Sequence, residues 1–171
     1  MKAGVRTAPR RVARTPHRAR VPASRAPGWK EGRIEAIYPA AMGIPVYEIS
    51  KDFTFSAAHQ IRFHGGKCER LHGHNWRIRV HARSSELNRI GMVVDFADLQ
   101  KLVAEIGARF DHQNVNEIPP FDEVNTTAEL IARFFYEEAN RRLAQAEGGR
   151  VRVSKVEVWE NEGSLAVYRE E

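Results

Sequence analysis

Residues 53–76 read FTFSAAHQIRFHGGKCERLHGHNW, and they hold four of the chain's seven histidines (His59, His64, His72, His74) and its single cysteine, Cys68. His72 and His74 flank Gly73. On an extended chain, period-two geometry puts both imidazoles on one face of a strand. His59 ends an alternating apolar run that reads as a second strand, which can supply a third nitrogen from alongside. Three neutral imidazoles suit Zn²⁺; an open fourth position marks a catalytic site, a filled one a structural site. Cys68 decides between the two. It is either the fourth ligand of a closed site or a free thiol beside a cationic centre, where thiolate forms near neutral pH.

Outward from this stretch, the pattern predicts a strand over 46–58 with Phe53 and Phe55 on one face, then a loop at Gly65-Gly66. Trp76 to Ala82 alternates with Trp76, Ile78 and Val80 inward, and His81 reads as a solvated residue on the polar face. Asp95 is a plausible N-cap for a helix whose stripe runs Phe96, Leu99, Leu102/Val103, Ile106, Phe110, with its end near Phe110. Asp111-His112 follow in a polar loop. A second helix is expected from Thr126, where Thr126-x-x-Glu129 is a capping-box pattern. Its apolar face is Leu130, Ile131, Phe134, Phe135 and Leu143, and Gly148-Gly149 stop it.

Two strands close the chain. Val151 and Val153 alternate, then the apolar parity slips to Val156 and Val158, which predicts a bulge near Ser154-Lys155. Asn161-Glu162-Gly163 is the turn. The order β-β-α-α-β-β implies an α+β fold, a four-stranded antiparallel sheet with two helices on one face. Glu160 continues the inward face of Val156 and Val158, and a carboxylate there needs a partner. A cyclic guanidine-like edge, with two parallel N–H donors, matches its two oxygens.

Composition limits the classes open to the chain. At 171 residues it suffices for one domain plus an appendage, and 42% hydrophobic with 29% charged residues is ordinary for a globular protein. No apolar run approaches the roughly 18–20 residues a membrane span needs. One cysteine forms no intrachain disulfide, which fits a reducing, cytoplasmic setting. The net charge of +5 is unevenly spread. Residues 1–33 carry ten Lys/Arg and one acid, leaving 17 basic against 21 acidic residues in the rest. Residues 1–45 are expected to be a disordered Arg/Pro-rich extension and 46–171 a single domain. The extension reads in three ways: an arm that grips nucleic acid, a targeting peptide, or sequence lying before the natural start, with Met42 as initiator.

In order along the chain stand FSAAH (55–59), Cys68 followed after three residues by HGH (72–74), VVDFADL (93–99), DHQNVN (111–116), TAE (127–129) and VWE (158–160). This series resembles the 6-pyruvoyl- and 6-carboxy-tetrahydropterin synthase family, whose architecture is the tunnelling fold (T-fold), over about residues 46 to 170. The short Cys-to-HGH spacing is similar to the bacterial 6-carboxy enzymes of 7-deazaguanine (queuosine) synthesis rather than to the 6-pyruvoyl enzymes. The resemblance implies that His59, His72 and His74 hold Zn²⁺. It implies that Cys68, Asp111 and His112 form the proton-transfer set, and that Glu160 anchors a pterin ring with Thr127 and Glu129 as helpers. The implied substrate is 7,8-dihydroneopterin triphosphate, whose phosphates Lys67 and Arg70 could meet. A homo-oligomer, commonly a hexamer with sites between subunits, is implied as well. Asn161 stands where the family often has Thr. The rival outside this family is a zinc-stabilised nucleic-acid-binding module with Cys68 as fourth ligand.

Overall fold

The structure is a computed structural model that describes residues 43–171. The extension expected over 1–45 therefore lies outside the described residues except for its last three.

Four strands form one antiparallel sheet in the order of the chain: β1 (Tyr47–His59), β2 (His72–Ser84), β3 (Arg152–Asn161) and β4 (Ser164–Tyr168). Two helices, α1 (Phe96–Gly107) and α2 (Ala128–Glu147), lie between β2 and β3 in sequence. On β2, Trp76, Ile78, Val80 and Ala82 are fully buried while Arg77, Arg79, His81 and Arg83 alternate with them on the other face. The buried set packs with Phe55 and Ala57 of β1, Val156 and Val158 of β3, Leu99, Val103 and Ile106 of α1, and Ile131, Phe135 and Leu143 of α2 in one core. Both helices thus cover one face of the sheet. The α+β T-fold expected from the sequence is the fold observed.

Local chemistry explains most boundaries. Asp95 caps α1 by accepting from the Ala97 amide. Gly148, at φ 60°, ends α2 in the left-handed conformation that glycine adopts without a Cβ penalty. The bulge falls where the valine parity predicts it: His81 pairs Lys155 but Ala82 pairs Val153, so Ser154 is the extra residue. Gly107 permits close approach of α1 to β1, since a Cβ there would sit 2.0 Å from the Phe53 ring.

Four expectations need correction. Helix α1 ends at Gly107 rather than near Phe110; Phe110 follows in a turn and is still buried. Phe96 is 56% exposed at the first position of the helix and is not part of the core. The cap of α2 is Thr127, whose hydroxyl accepts from the Leu130 amide, and the predicted Thr126–Glu129 box does not form. Thr126 is instead fully buried. His81 is not solvated: its two ring nitrogens lie 3.2 and 3.0 Å from Glu48 and Glu157, and the side chain is largely covered.

Candidate metal centre

Antiparallel register builds the site. His59 is the last residue of β1 and pairs directly with His72, the first of β2, while Ala57 pairs with His74. Directly paired residues share a face, so all three imidazoles project to the helix side at one end of the sheet. Their ring centroids lie 4.6, 5.2 and 4.9 Å apart. Glu160, two residues past Val158 on β3, arrives on the same face, with Oε1 3.1 Å from Nε2 of His59 and 3.4 Å from Nε2 of His74. One ligand atom from each of His59, His72, His74 and Glu160 lies within 4.8 Å of all the others.

The hydrogen bonds fix which nitrogen two of the rings offer. Nδ1 of His59 lies 2.9 Å from the Thr126 carbonyl oxygen and 3.1 Å from its hydroxyl. A carbonyl can only accept, so Nδ1 carries the hydrogen and Nε2 presents its lone pair to the cluster. The Thr126 hydroxyl donates to the Gln60 carbonyl, which leaves its oxygen free to accept from the ring. His72 Nδ1 donates to the Arg70 carbonyl at 2.6 Å by the same logic. Such bonds orient a ligating imidazole and raise its basicity.

The donor set fits a divalent cation. Nε2 of His59 and Nε2 of His74 are buried with no hydrogen-bond partner, and both point at a carboxylate oxygen. The Nε2 lone pair of His59 faces a carboxylate oxygen at 3.1 Å, and two such groups repel unless a positive charge stands between them. Burial, the largest influence, holds both His59 and His74 below the ordinary histidine value despite the opposing Glu160 charge, so a proton is poorly suited to that role. Tetrahedral Zn–N bonds of about 2.0–2.1 Å put ligand atoms roughly 3.3–3.4 Å apart. The two distances to Glu160 are close to that edge.

Cys68 lies in a single 3-10 turn, Lys67–Glu69, and is half-buried. It is not among the four residues of the cluster. Its carbonyl accepts from the Ile61 amide at 2.8 Å, which closes the loop 61–68 at its neck. Lys67 and Arg70 are exposed.

Asp111 and His112, adjacent in sequence, are joined: His112 Nδ1 lies 3.0 Å from Asp111 Oδ1. His112 takes a positive φ, 58°, uncommon for a residue with a Cβ. The Ser56 amide donates to the same Asp111 oxygen, the largest reason its carboxyl sits below the ordinary value. His112 shares with His74, Gly73 and Asn75 a cleft of about 560 Å³. On the far side of β2 a second cleft, about 690 Å³, is lined by His74, Arg77, Trp159 and Glu160 among others. His74 is therefore reachable from both. Cys68, Thr127 and Glu129 line neither cleft, so within one chain the structure does not bring Cys68 to His112.

The contact of Thr126 with His59 and the part played by Arg62 were not read from the sequence. Arg62 donates to the carbonyls of Asn116, Phe121, Asp122 and Val124, and its own main chain is paired both ways with the Asn125 side chain. The Asn125-Thr126 dipeptide ahead of an apolar helix was the available signal, but it reads first as a cap.

A model of the family described as 6-pyruvoyl tetrahydropterin synthase matches residues 48–171, and the chain belongs to that family of pterin-forming enzymes. The 6-carboxy-5,6,7,8-tetrahydropterin synthase of Synechocystis sp. is 36% identical over 125 residues, covering 70% of this chain and 91% of that protein. The protein of the same name from Haemophilus influenzae is 32% identical, covering 73% and 100%. The human 6-pyruvoyl tetrahydrobiopterin synthase is 29% identical, covering 72% and 92%. Among solved structures, the Caenorhabditis elegans 6-pyruvoyl tetrahydropterin synthase superposes with a TM-score of 0.65 at 25% identity, covering 75% of this chain and 98% of that one. Among the described residues no helix is long and apolar enough to cross a membrane.

Proposed function

We propose that the chain converts 7,8-dihydroneopterin triphosphate to 6-carboxy-5,6,7,8-tetrahydropterin, releasing acetaldehyde and triphosphate, as a step toward 7-deazaguanine nucleosides such as queuosine. The observation that carries this reading is the cluster of three imidazoles, each of His59 and His72 fixed to offer Nε2, with the thiol outside it. A closed structural site with Cys68 as fourth ligand is disfavoured by that arrangement, and with it the nucleic-acid module.

His59, His72 and His74 would hold Zn²⁺, which supplies Lewis-acid polarisation of the substrate's side-chain oxygens when bound. Glu160 keeps one oxygen toward the histidines and borders the 690 Å³ cleft, where it can accept two N–H bonds from a pterin edge. Asp111 holds the His112 ring in place through the contact at Nδ1, which suits the imidazole to take and return a proton. Cys68 serves as the second proton carrier, with Thr127 and Glu129 as lesser contacts. Because Cys68 and His112 do not share a cleft within one chain, we infer that the set is completed by a neighbouring copy. The open edges of β1 and β4 leave room for such assembly, of which a hexamer is one form. The domain over 46–171 carries all of these residues; the basic extension is not needed for the chemistry. A cytoplasmic location accords with the single cysteine.

Two observations favour a second reading, 6-pyruvoyl-tetrahydropterin formation: the description of the matching family model and the C. elegans structure. Incubating zinc-loaded protein with the substrate and identifying the products decides between them. Acetaldehyde and the 6-carboxy pterin are expected; a 6-pyruvoyl product with no acetaldehyde overturns the first reading.

A further inference from the structure

Arginines alternate along the face of β2 that the helices leave open, and they are not equivalent. Arg79 is matched by Asp52, which takes both its Nε and a terminal nitrogen, the latter at 2.9 Å. Arg77, one repeat nearer the metal cluster, makes no ion pair within 4 Å among the described residues; Asp52, already bound by Arg79, acts on it only at longer range. The Arg77 guanidinium carbon sits 3.8 Å from the ring centroid of Trp159, its direct partner on β3. Its Nε is buried and lacks any hydrogen-bond partner. A buried donor left unmade is costly, and few native groups are left so without a reason.

The place of this group suggests its use. Arg77 and Trp159 line the 690 Å³ cleft that also contains His74 and Glu160. Stacking on the indole fixes the guanidinium plane, and its two terminal nitrogens, which bond no other group among the described residues, form a fork that matches two oxygens of a phosphate. The cleft thus has an acidic group for a guanidine-like edge and a held cation for an anionic one. We propose that Arg77, laid on Trp159, binds the phosphate chain of the substrate. This rests on the pterin-triphosphate reading above and adds to it the residue that recognises the tail. The exposed Lys67 and Arg70, the candidates from sequence, have no such mount.

The test is titration calorimetry of the zinc-loaded full-length protein with inorganic tripolyphosphate and, separately, with unphosphorylated 7,8-dihydroneopterin. Arg77→Met is expected to weaken tripolyphosphate binding about ten- to a hundredfold, the size of one charged hydrogen-bonding group, while dihydroneopterin binding stays within about twofold. Arg77→Lys, a milder change should the Met variant fold poorly, is expected to lose less, since it keeps charge but not the fork. Equal tripolyphosphate binding by parent and Arg77→Met overturns the proposal, as does loss of both ligands together in a variant with an unchanged melting temperature. If the parent binds tripolyphosphate through Arg77 but does not bind dihydroneopterin, the anion subsite stands and the pterin reading falls.

Discussion

Replacing Glu160 by Gln separates two roles that its position combines. Oε1 stands 3.1 and 3.4 Å from two histidine nitrogens, close enough to ligate an ion they share, yet the residue also borders the cleft assigned to the pterin. Three neutral imidazoles are sufficient to hold Zn²⁺ in catalytic sites, so Glu160→Gln should keep its metal. The amide, however, presents one donor where the pterin edge also presents a donor. It exchanges a pair of charge-assisted hydrogen bonds for at most one neutral one, a loss of about 2–4 kcal/mol. That is roughly a 30- to 1,000-fold drop in pterin affinity. Metal content after dialysis against a weak chelator, measured by atomic spectroscopy, should equal the parent's, while a fluorescence titration with dihydroneopterin shows the loss. A variant that sheds its metal, yet binds pterin normally when reloaded, would refute the reasoning and make Glu160 a ligand.

Three further outcomes follow from particular contacts. Cys68→Ala should retain metal and fold while turnover falls about 10²–10⁴-fold, the usual range for a lost proton carrier, measured by product formation at saturating substrate; loss of zinc instead would place the thiol in the coordination shell. Gly107→Ala should destabilise by about 1–3 kcal/mol in urea unfolding, because its methyl would meet the Phe53 ring at 2.0 Å, and an unchanged midpoint would mean that the ring moves freely. The hydrogen bond from Arg79 holds Asp52 below its ordinary value, so the unfolded chain binds that proton more tightly. This contribution is fully present above about pH 4, the unfolded value, and is lost as pH falls through the lower folded value. Asp52→Asn should therefore melt lower than the parent at pH 6 and approach it at pH 2–3; parallel curves would contradict the assignment.

Much of this was legible in the sequence because period-two and helical patterning act locally. The alternation through Trp76, Ile78 and Val80, the slipped valines around Ser154 and the Gly148 stop each correspond to an observed feature. His72 and His74 could be grouped because they alternate on one strand face, whereas the pairing that sets His59 beside them spans residues 60–71 and no local pattern dictates it. What escaped was chemistry set by tertiary contact. Thr126 reads as a cap and is instead the anchor of His59, a contact across 67 residues that no local pattern encodes. His81 reads as solvated because its partners Glu48 and Glu157 come from different strands. Phe96 fits the helical stripe, but the edge of the core stops short of it.

The clasp of Arg62 on the carbonyls of residues 116–124, with the mutual pairing of its main chain and Asn125, sits between two parts of the site. On one side Ile61 is tied to Cys68; on the other, Asn125 adjoins the threonine that steadies His59. Thiol loop and histidine mooring are thereby riveted into one body, so they should loosen together rather than in turn. Amides on the two segments would then exchange with solvent at matching rates, and cutting the rivet at Arg62 would disturb proton carrier and ion holder alike without touching either.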